Sequence, residues 1–353
     1  MSNQLAEDSI ELLKTLIAIP SFSREEDKTA DAIESFFNAH GLKPYRHQNN
    51  IWSFNRYYDA GKPTILLNSH HDTVKPNPGY SRDPFEASVE DDKLYGLGSN
   101  DAGGCLVSLI AVFRHFYEIP DLKYNLCIAA TAEEEVSGKN GIESLVPQLG
   151  PLDFAIVGEP TLMNLAIAER GLIVLDCVTH GKAGHAAREE GDNAIYKALK
   201  DIEWFRTYEF PKKSELFGLT KMSVTVINAG SQHNVVPAKC DFTVDVRVTD
   251  AYRNEEIVDI IKQHVDCDVM PRSTRLKPSS ISKDHPFVQA GLALGRTTYG
   301  SPTTSDQALL DITSVKLGPG DSARSHMADE FIYVDEINEG IKLYIQMLER
   351  LLL

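Results

Sequence analysis

Five short segments of the chain carry side chains suited to holding a metal ion or moving a proton. Asn68-Ser69-His70-His71-Asp72 follows the apolar run Thr64 to Leu67. In an open α/β sheet, ligands bind beyond the carboxyl ends of strands. Side chains at i and i+2 of an extended segment share a side, so His70 and Asp72 can cooperate while His71 faces elsewhere. A ligating histidine commonly hands its other ring N–H to a carboxylate, which makes His70 a candidate ligand and Asp72 its orienter. Asp101 lies among glycines in the run Leu94 to Gly104, where a carboxylate approaches a ligand uncrowded. Glu133-Glu134-Glu135 ends the apolar run Asn125 to Ala130, and three packed anions repel one another unless a cation neutralises them. Adjacent carboxylates can also divide metal binding and proton transfer. Glu159 ends the run Phe154 to Val157, and much later His326 stands close to Asp329 and Glu330.

Taken singly, each segment has a plainer reading. His70 and Asp72 fit a polar loop, Asp101 an N-cap, the three glutamates a solvated face, Glu159 a loop acid before Pro160, and His326 a surface histidine. The Gly96-Leu97-Gly98 run is weak evidence for a dinucleotide loop, because it does not follow a strand that opens a first βα unit. Jointly the five describe a dinuclear site. Zinc accepts imidazole nitrogen and carboxylate oxygen, and one carboxylate can bridge two ions about 3.5–4 Å apart.

The elements that must position these residues follow from periodicity. Leu5, Ser9, Leu12, Leu13, Leu16 and Ile17 fall near helical spacing, closed by Pro20, and a second helix spans roughly 28–40 up to Gly41. Thr64 to Asn68, Tyr124 to Ala130 and Asp153 to Val157 are continuous apolar runs, as in strands buried on both faces, with a helix at roughly 103–117 between the first two. This rhythm predicts an α/β domain, a mixed sheet covered by helices. From Leu172 the pattern alternates, and the order strand, helix, strand, strand, helix, strand predicts a split-βαβ α+β domain. The expected organisation is one domain at 1–170 and 277–353 with a smaller domain inserted at 171–276. An amphipathic helix from Val334 to Leu352 ends the chain.

Composition removes whole classes of function. With 353 residues, 35 Lys+Arg against 51 Asp+Glu and a formal charge of -16, the chain lacks the basic balance that nucleic acid or anionic lipid demands. No run reaches the roughly 20 apolar residues of a membrane span, and Glu7, Asp8 and Glu11 interrupt what would be a signal peptide. Five widely spaced cysteines with no CxxC pair read as reduced thiols of a cytoplasmic protein and exclude a zinc finger. No Gly-x-Ser-x-Gly elbow offers a serine nucleophile.

Ser-His-x-Asp at 69–72, Tyr-Gly-x-Gly-x-x-Asp at 95–101, Thr-Ala-Glu-Glu-Glu at 131–135, Gly-Glu-Pro at 158–160 and His326 occur together in one order. In this the chain resembles the co-catalytic zinc aminoacylase and carboxypeptidase family, which includes acetylornithine deacetylase, succinyl-diaminopimelate desuccinylase and glutamate carboxypeptidase. The resemblance implies a catalytic role for the domain at 1–170 and 277–353 and a dimerisation or lid role for the one at 171–276. It also implies two zinc ions, for which cobalt can substitute. His70, Asp101 and Glu159 would bind one ion, and Asp101, Glu135 and His326 the other, with Asp101 bridging. Glu134 would be the general base and Asp72 the supporting carboxylate. Glu133 stands where the family commonly has Asp, so the assignment of Glu134 and Glu135 depends on register. His180-Gly181-Lys182-Ala183-Gly184-His185 resembles the family's lid segment, in which His185 would reach a partner subunit's site and polarise the scissile carbonyl. Asn234 and Arg247 would hold a substrate carboxylate, for which a bidentate guanidinium is suited, and Gly318 and Gly320 would line the substrate. For Arg247 a strand-surface cation, and for His185 a loop histidine, are the plainer readings.

The implied reaction is hydrolysis of an amide between a small acyl group and an amino acid. Water activated between two zinc ions loses its proton to Glu134, which then passes it to the leaving amine, while His185 helps hold the developing oxyanion. Overall likeness points to an N-acetyl- or N-succinyl-ornithine or -citrulline deacylase of arginine biosynthesis, acting as a homodimer on a small-molecule substrate. Two alternatives remain: a di- or tripeptidase, carboxypeptidase or desuccinylase with the same metals, and a non-catalytic metal-binding assembly protein on the same fold.

Overall fold

The computed structural model describes residues 3–353 and divides into two compact units. One is built from the chain up to Ile167 with Ser280–Tyr299 and Ser305–Leu353, the other from Ala168–Ser279 with Gly300–Thr304. In chain order, the first unit supplies helices α1 (Asn3–Ile17) and α2 (Asp27–Ala39), then strands β1 (Tyr45–His47), β2 (Asn50–Phe54) and β3 (Thr64–His70). Helix α3 (Gly104–Phe116) and strands β4 (Asn125–Thr131), β5 (Phe154–Val157) and β6 (Leu165–Glu169) follow. The second unit contains β7 (Gly171–His180), α4 (Ala194–Thr207), β8 (Lys221–Ala229), β9 (Lys239–Val248), α5 (Asn254–His264) and β10 (Asp268–Pro271). The first unit is completed by β11 (Thr313–Lys316) and α6 (Val334–Leu352).

The main sheet has nine strands and contains the run β1-β2-β4-β3-β5-β11-β6, with the short strands Ser279–Ser280 and Thr298–Ser301 beside β6. Strands β4, β3, β5 and β11 are mutually parallel, while β2 joins β4 and β6 joins β11 in the antiparallel sense, so the sheet is mixed as expected. Each central strand feeds two cores because its side chains alternate faces. Ile65, Leu67, Leu126, Ile128, Phe154 and Ile156 join the core under α1, α3 and α6. Leu66, Cys127, Ala129, Ala155 and Val157 join the other, with Trp52, Ile142 and Leu145. Helix α3 is buried on nearly all sides, which explains a sequence apolar all round. Helix α6 is amphipathic and buries Ile337, Ile341, Tyr344, Leu348 and Leu352. Register then sets the site: His70 pairs with Thr131 and Asn68 with Val157, so the segments after β3, β4 and β5 leave one sheet edge side by side.

The second unit is built on a four-stranded antiparallel sheet, β8-β9-β7-β10, with helices α4 and α5, and a short antiparallel pair at Gly184–His185 and Val235–Val236. Its element order is the strand, helix, strand, strand, helix, strand expected from the sequence. Strand β9 alternates strictly: Cys240, Phe242, Val244, Val246 and Val248 are buried, with half-exposed residues between. These pack with Ala198 and Phe205 of α4 and Ile257 and Ile261 of α5. The polar face of β9 carries Asp241, Thr243, Asp245 and Arg247. Among the described residues no helix is long and apolar enough to cross a membrane. All five cysteines are free and buried.

Candidate metal centre

His70 ends β3 as a fully buried side chain whose Nδ1 lies 3.0 Å from the Asp72 carbonyl oxygen and 3.5 Å from its carboxylate. Its other nitrogen, Nε2, is buried and has no hydrogen-bond partner. That atom faces Asp101 Oδ1 at 3.4 Å, Glu159 Oε1 at 3.7 Å and Glu134 Oε2 at 3.9 Å. A buried imidazole nitrogen without a partner is costly, and a cation placed among these acceptors would use it. His71, as the alternation requires, turns away to Thr29 and to the Asn49 carbonyl.

Among the described residues, two groups have ligand atoms within 4.8 Å of one another: His70, Asp101 and Glu159, and Asp101, Glu135 and His326. Asp101 belongs to both, with Oδ1 toward His70 and Oδ2 3.5 Å from His326 Nε2. His326 Nε2 also lies 3.0 Å from Glu135 Oε2. Glu134 belongs to neither group, though it stands beside His70. Glu133 leaves the cluster: its backbone is left-handed at φ 56, and its carboxylate accepts from the Asn140 side chain at 2.8 Å. This turn separates three consecutive glutamates into one structural and two site residues. Asp101 does not act as an N-cap, since no side chain caps α3.

The electrostatics agree with a site for cations. Burial, then the Asp101 charge, pushes the Glu159 carboxyl up to about 8. Burial also raises Glu134 well above the usual carboxylate range, with Glu159, Asp306 and Glu135 adding repulsion. The bond from Glu135 lifts His326 to about 9. Carboxylates that raise one another in this way are relieved by a positive ion. The residues fit two zinc-class ions by donor type: imidazole nitrogen and carboxylate oxygen, one carboxylate shared.

Asp72 holds the glutamate turn in place. Its carboxylate accepts from the Glu134 and Glu135 amides at 3.0 and 3.2 Å and from Ser23 Oγ at 2.7 Å. Burial opposes its charge, yet these bonds and His70 hold its carboxyl below the usual range. Two further acids had no assigned role. Asp306 is buried and accepts from Asn68 Nδ2 and Thr131 Oγ1 at 2.8 and 2.7 Å. Glu330 is buried and accepts backbone bonds from Gly98, Asn100 and Asp101. Nothing in a polar Thr-Thr-Ser-Asp run marks Asp306, whereas Glu330 lies four residues after His326 and carried that hint.

The remaining candidates lie elsewhere. Gly318 and Gly320 are buried; a Cβ at Gly318 would meet Cys105 Sγ at 2.5 Å and the Glu159 carbonyl at 2.6 Å, and one at Gly320 would meet Asn100 Oδ1 at 2.5 Å. Both glycines pack closely against the Glu159 and Asn100 loops. In the second unit, His185 and Asn234 come together: the pair Gly184–His185 and Val235–Val236 is antiparallel, and the Ala186 amide donates to the Asn234 carbonyl at 2.9 Å. Both residues are exposed. Arg247 is bonded to Asp245 of its own strand through Nε at 2.8 Å and Nη2 at 3.1 Å.

A family model described as peptidase family M20/M25/M40 matches residues 66–350. The chain belongs to that family. It is therefore a metallohydrolase of the M20 type acting on amide bonds. A LysW-lysine/LysW-ornithine hydrolase from Sulfurisphaera tokodaii is 28% identical over 97% of this chain and 95% of that protein. One from Saccharolobus islandicus is 27% identical over the same shares. Among solved structures, the aminopeptidase PepT of Bacillus cereus covers 98% of both chains with a TM-score of 0.78 at 19% identity, a likeness of fold.

Proposed function

We propose that this M20 hydrolase uses two zinc-class ions to cleave the amide between a small acyl group and an amino acid. The observation that carries the reading is the pair of ligand groups sharing Asp101, with a carboxylate, Glu134, beside them and in neither. His70, Asp101 and Glu159 would hold one ion and Asp101, Glu135 and His326 the other. Such ions polarise a carbonyl and lower the pKa of water toward neutrality. Glu134 takes the proton of the attacking water and delivers it to the leaving amine. Asp72 fixes the His70 ring through Nδ1 and holds Glu134 and Glu135 through their amides. A purely structural metal site has no use for a free base at this position, which favours the enzyme over an assembly protein.

The relatives named as LysW-lysine/LysW-ornithine hydrolases support a basic amino acid as the released amine. Our reading is an N-acetyl- or N-succinyl-ornithine or -citrulline deacylase, and these relatives favour ornithine, the basic one of the two. We take the second unit as lid and dimerisation domain, with the exposed His185 serving the neighbouring subunit's carbonyl and Asn234 and Arg247 binding the substrate carboxylate. For Arg247 this requires exchange of its Asp245 bond for the substrate. A panel of N-acetylornithine, N-acetylcitrulline, their succinyl analogues and dipeptides, with added zinc or cobalt, tests the substrate class. Preference for acylated ornithine or citrulline supports the reading, and preference for dipeptides replaces it with a peptidase. Mixing His185→Ala with Glu134→Ala subunits restores activity if His185 acts across subunits, and a fully active monomer overturns that role.

A further inference from the structure

Glu330, an acid of the His326 segment with no role in the reading above, is almost wholly buried, at 2% exposure. Its carboxylate accepts three backbone N–H bonds: Oε1 from Asn100 at 2.8 Å and Asp101 at 2.9 Å, Oε2 from Gly98 at 3.0 Å. Its own carbonyl accepts from the Gly96 amide at 3.0 Å, and the next residue, Phe331, pairs with Tyr95. The carboxylate thus organises the whole turn that presents Asp101. The turn needs this support. Gly98 has φ +76, a conformation few side chains adopt, and a Cβ there would meet Thr73 Cγ2 at 2.6 Å. The following helix has no side-chain cap, and besides Glu330 the turn is tied by the Asn100 side chain, which donates to the Asp321 carbonyl at 3.0 Å.

The same residue stands four positions after His326, whose side chain is 54% exposed and meets Glu135 at 3.0 Å. The loop amide-bonded to Glu330 carries Asp101, and the loop bearing Glu330 carries His326. These are two of the three ligands in the second group. The first group shares Asp101 but takes His70 and Glu159 from the ends of the buried strands β3 and β5, so only one of its three ligands hangs on Glu330. We infer that Glu330 is a positioning residue that sets the separation of Asp101 and His326, and so selectively builds the second of the two ion sites. This rests on the two-ion reading above.

Isothermal titration of the metal-stripped full-length protein with zinc tests it, supported by elemental analysis. Wild-type protein should bind two ions; one or none would remove the two-ion reading itself, a failure distinct from that of Glu330. In Glu330→Gln the amide group cannot accept the Gly98 bond. Its second ion should weaken by about 10–100-fold, the usual cost of losing a residue that supports a ligand, while the first changes far less. Glu336→Gln is the matched comparison. It breaks the Arg324–Glu336 pair at 2.7 and 2.9 Å in the same region without touching the Asp101 turn, and should retain both ions. Unchanged affinity for both ions in Glu330→Gln, equal loss of both, or loss of the second ion in Glu336→Gln as well would overturn the inference. Should Glu330→Gln not fold, Glu330→Asp, which keeps the charge but shortens the reach, takes its place under the same criteria. Failure of both to fold would assign Glu330 to general stability and overturn the inference too.

Discussion

Strands β3 and β9 are both central in their sheets, yet every residue of β3 is buried while β9 alternates along its length. The difference lies in what covers each sheet. The first unit packs apolar cores on both faces of β3, β4 and β5, so the segments that follow them start from fixed points. Polar ligands can then be held close together at a single edge, where their repulsion would otherwise spread them. The second unit packs helices against one face and leaves Asp241, Thr243, Asp245 and Arg247 on the other. Its edge strand β8 exposes Val226 and Ile227 by about half their surface, at 49% and 50%. A two-faced sheet suits a site whose geometry must not change, and a one-faced sheet suits a surface that meets something else.

The largest expected effect breaks the first unit's edge. Asp101→Ala removes the ligand common to both groups, so neither ion should remain tightly bound. Turnover should fall by about 10³-fold or more, equivalent to several kcal/mol of lost charge stabilisation. Elemental analysis and initial rates check this, and retention of two ions would show that Asp101 does not bridge. In the second unit, Phe242→Ala empties the core beneath α4 and should cost about 3–5 kcal/mol. Denaturant unfolding measures it, and the first unit's metal content should stay unchanged. The smallest effect is expected at the open edge. Val226→Thr should alter stability by no more than about 0.5 kcal/mol; a loss several times larger would show that a second copy covers β8.

The two units were also unequally legible in the sequence. Continuous apolar runs located β3, β4 and β5, because strands buried on both faces have no polar side to interrupt them. The strict alternation of β9 was equally plain. Strands β1, β2 and β11 give no such run, since polar residues interrupt them: Arg46 and His47, Ser53, and Ser314 and Lys316. For the site, the acids and histidines that terminate apolar strands stood out by position. Those that support them did not. Asp306 makes its contacts with Asn68 and Thr131 across 238 and 175 residues of chain, and no local spacing can signal a partner so distant. The buried packing of Gly318 and Gly320 was hidden for the same reason.

The glutamate turn tests the central claim most directly. Metal content and initial rates would be measured side by side on Glu133→Gln, Glu134→Gln and Glu135→Gln. Glu134→Gln should keep both ions and lose turnover by about 10²–10⁴-fold or more, because the amide is nearly the same shape but cannot take a proton. Glu135→Gln should lose one ion, since a neutral amide oxygen is a poorer zinc ligand than a carboxylate. Glu133→Gln, whose carboxylate faces Asn140, should keep both ions and most of its activity. A metal-replete, inactive Glu133→Gln beside a metal-poor Glu134→Gln would contradict the account and move both roles one residue toward the N-terminus.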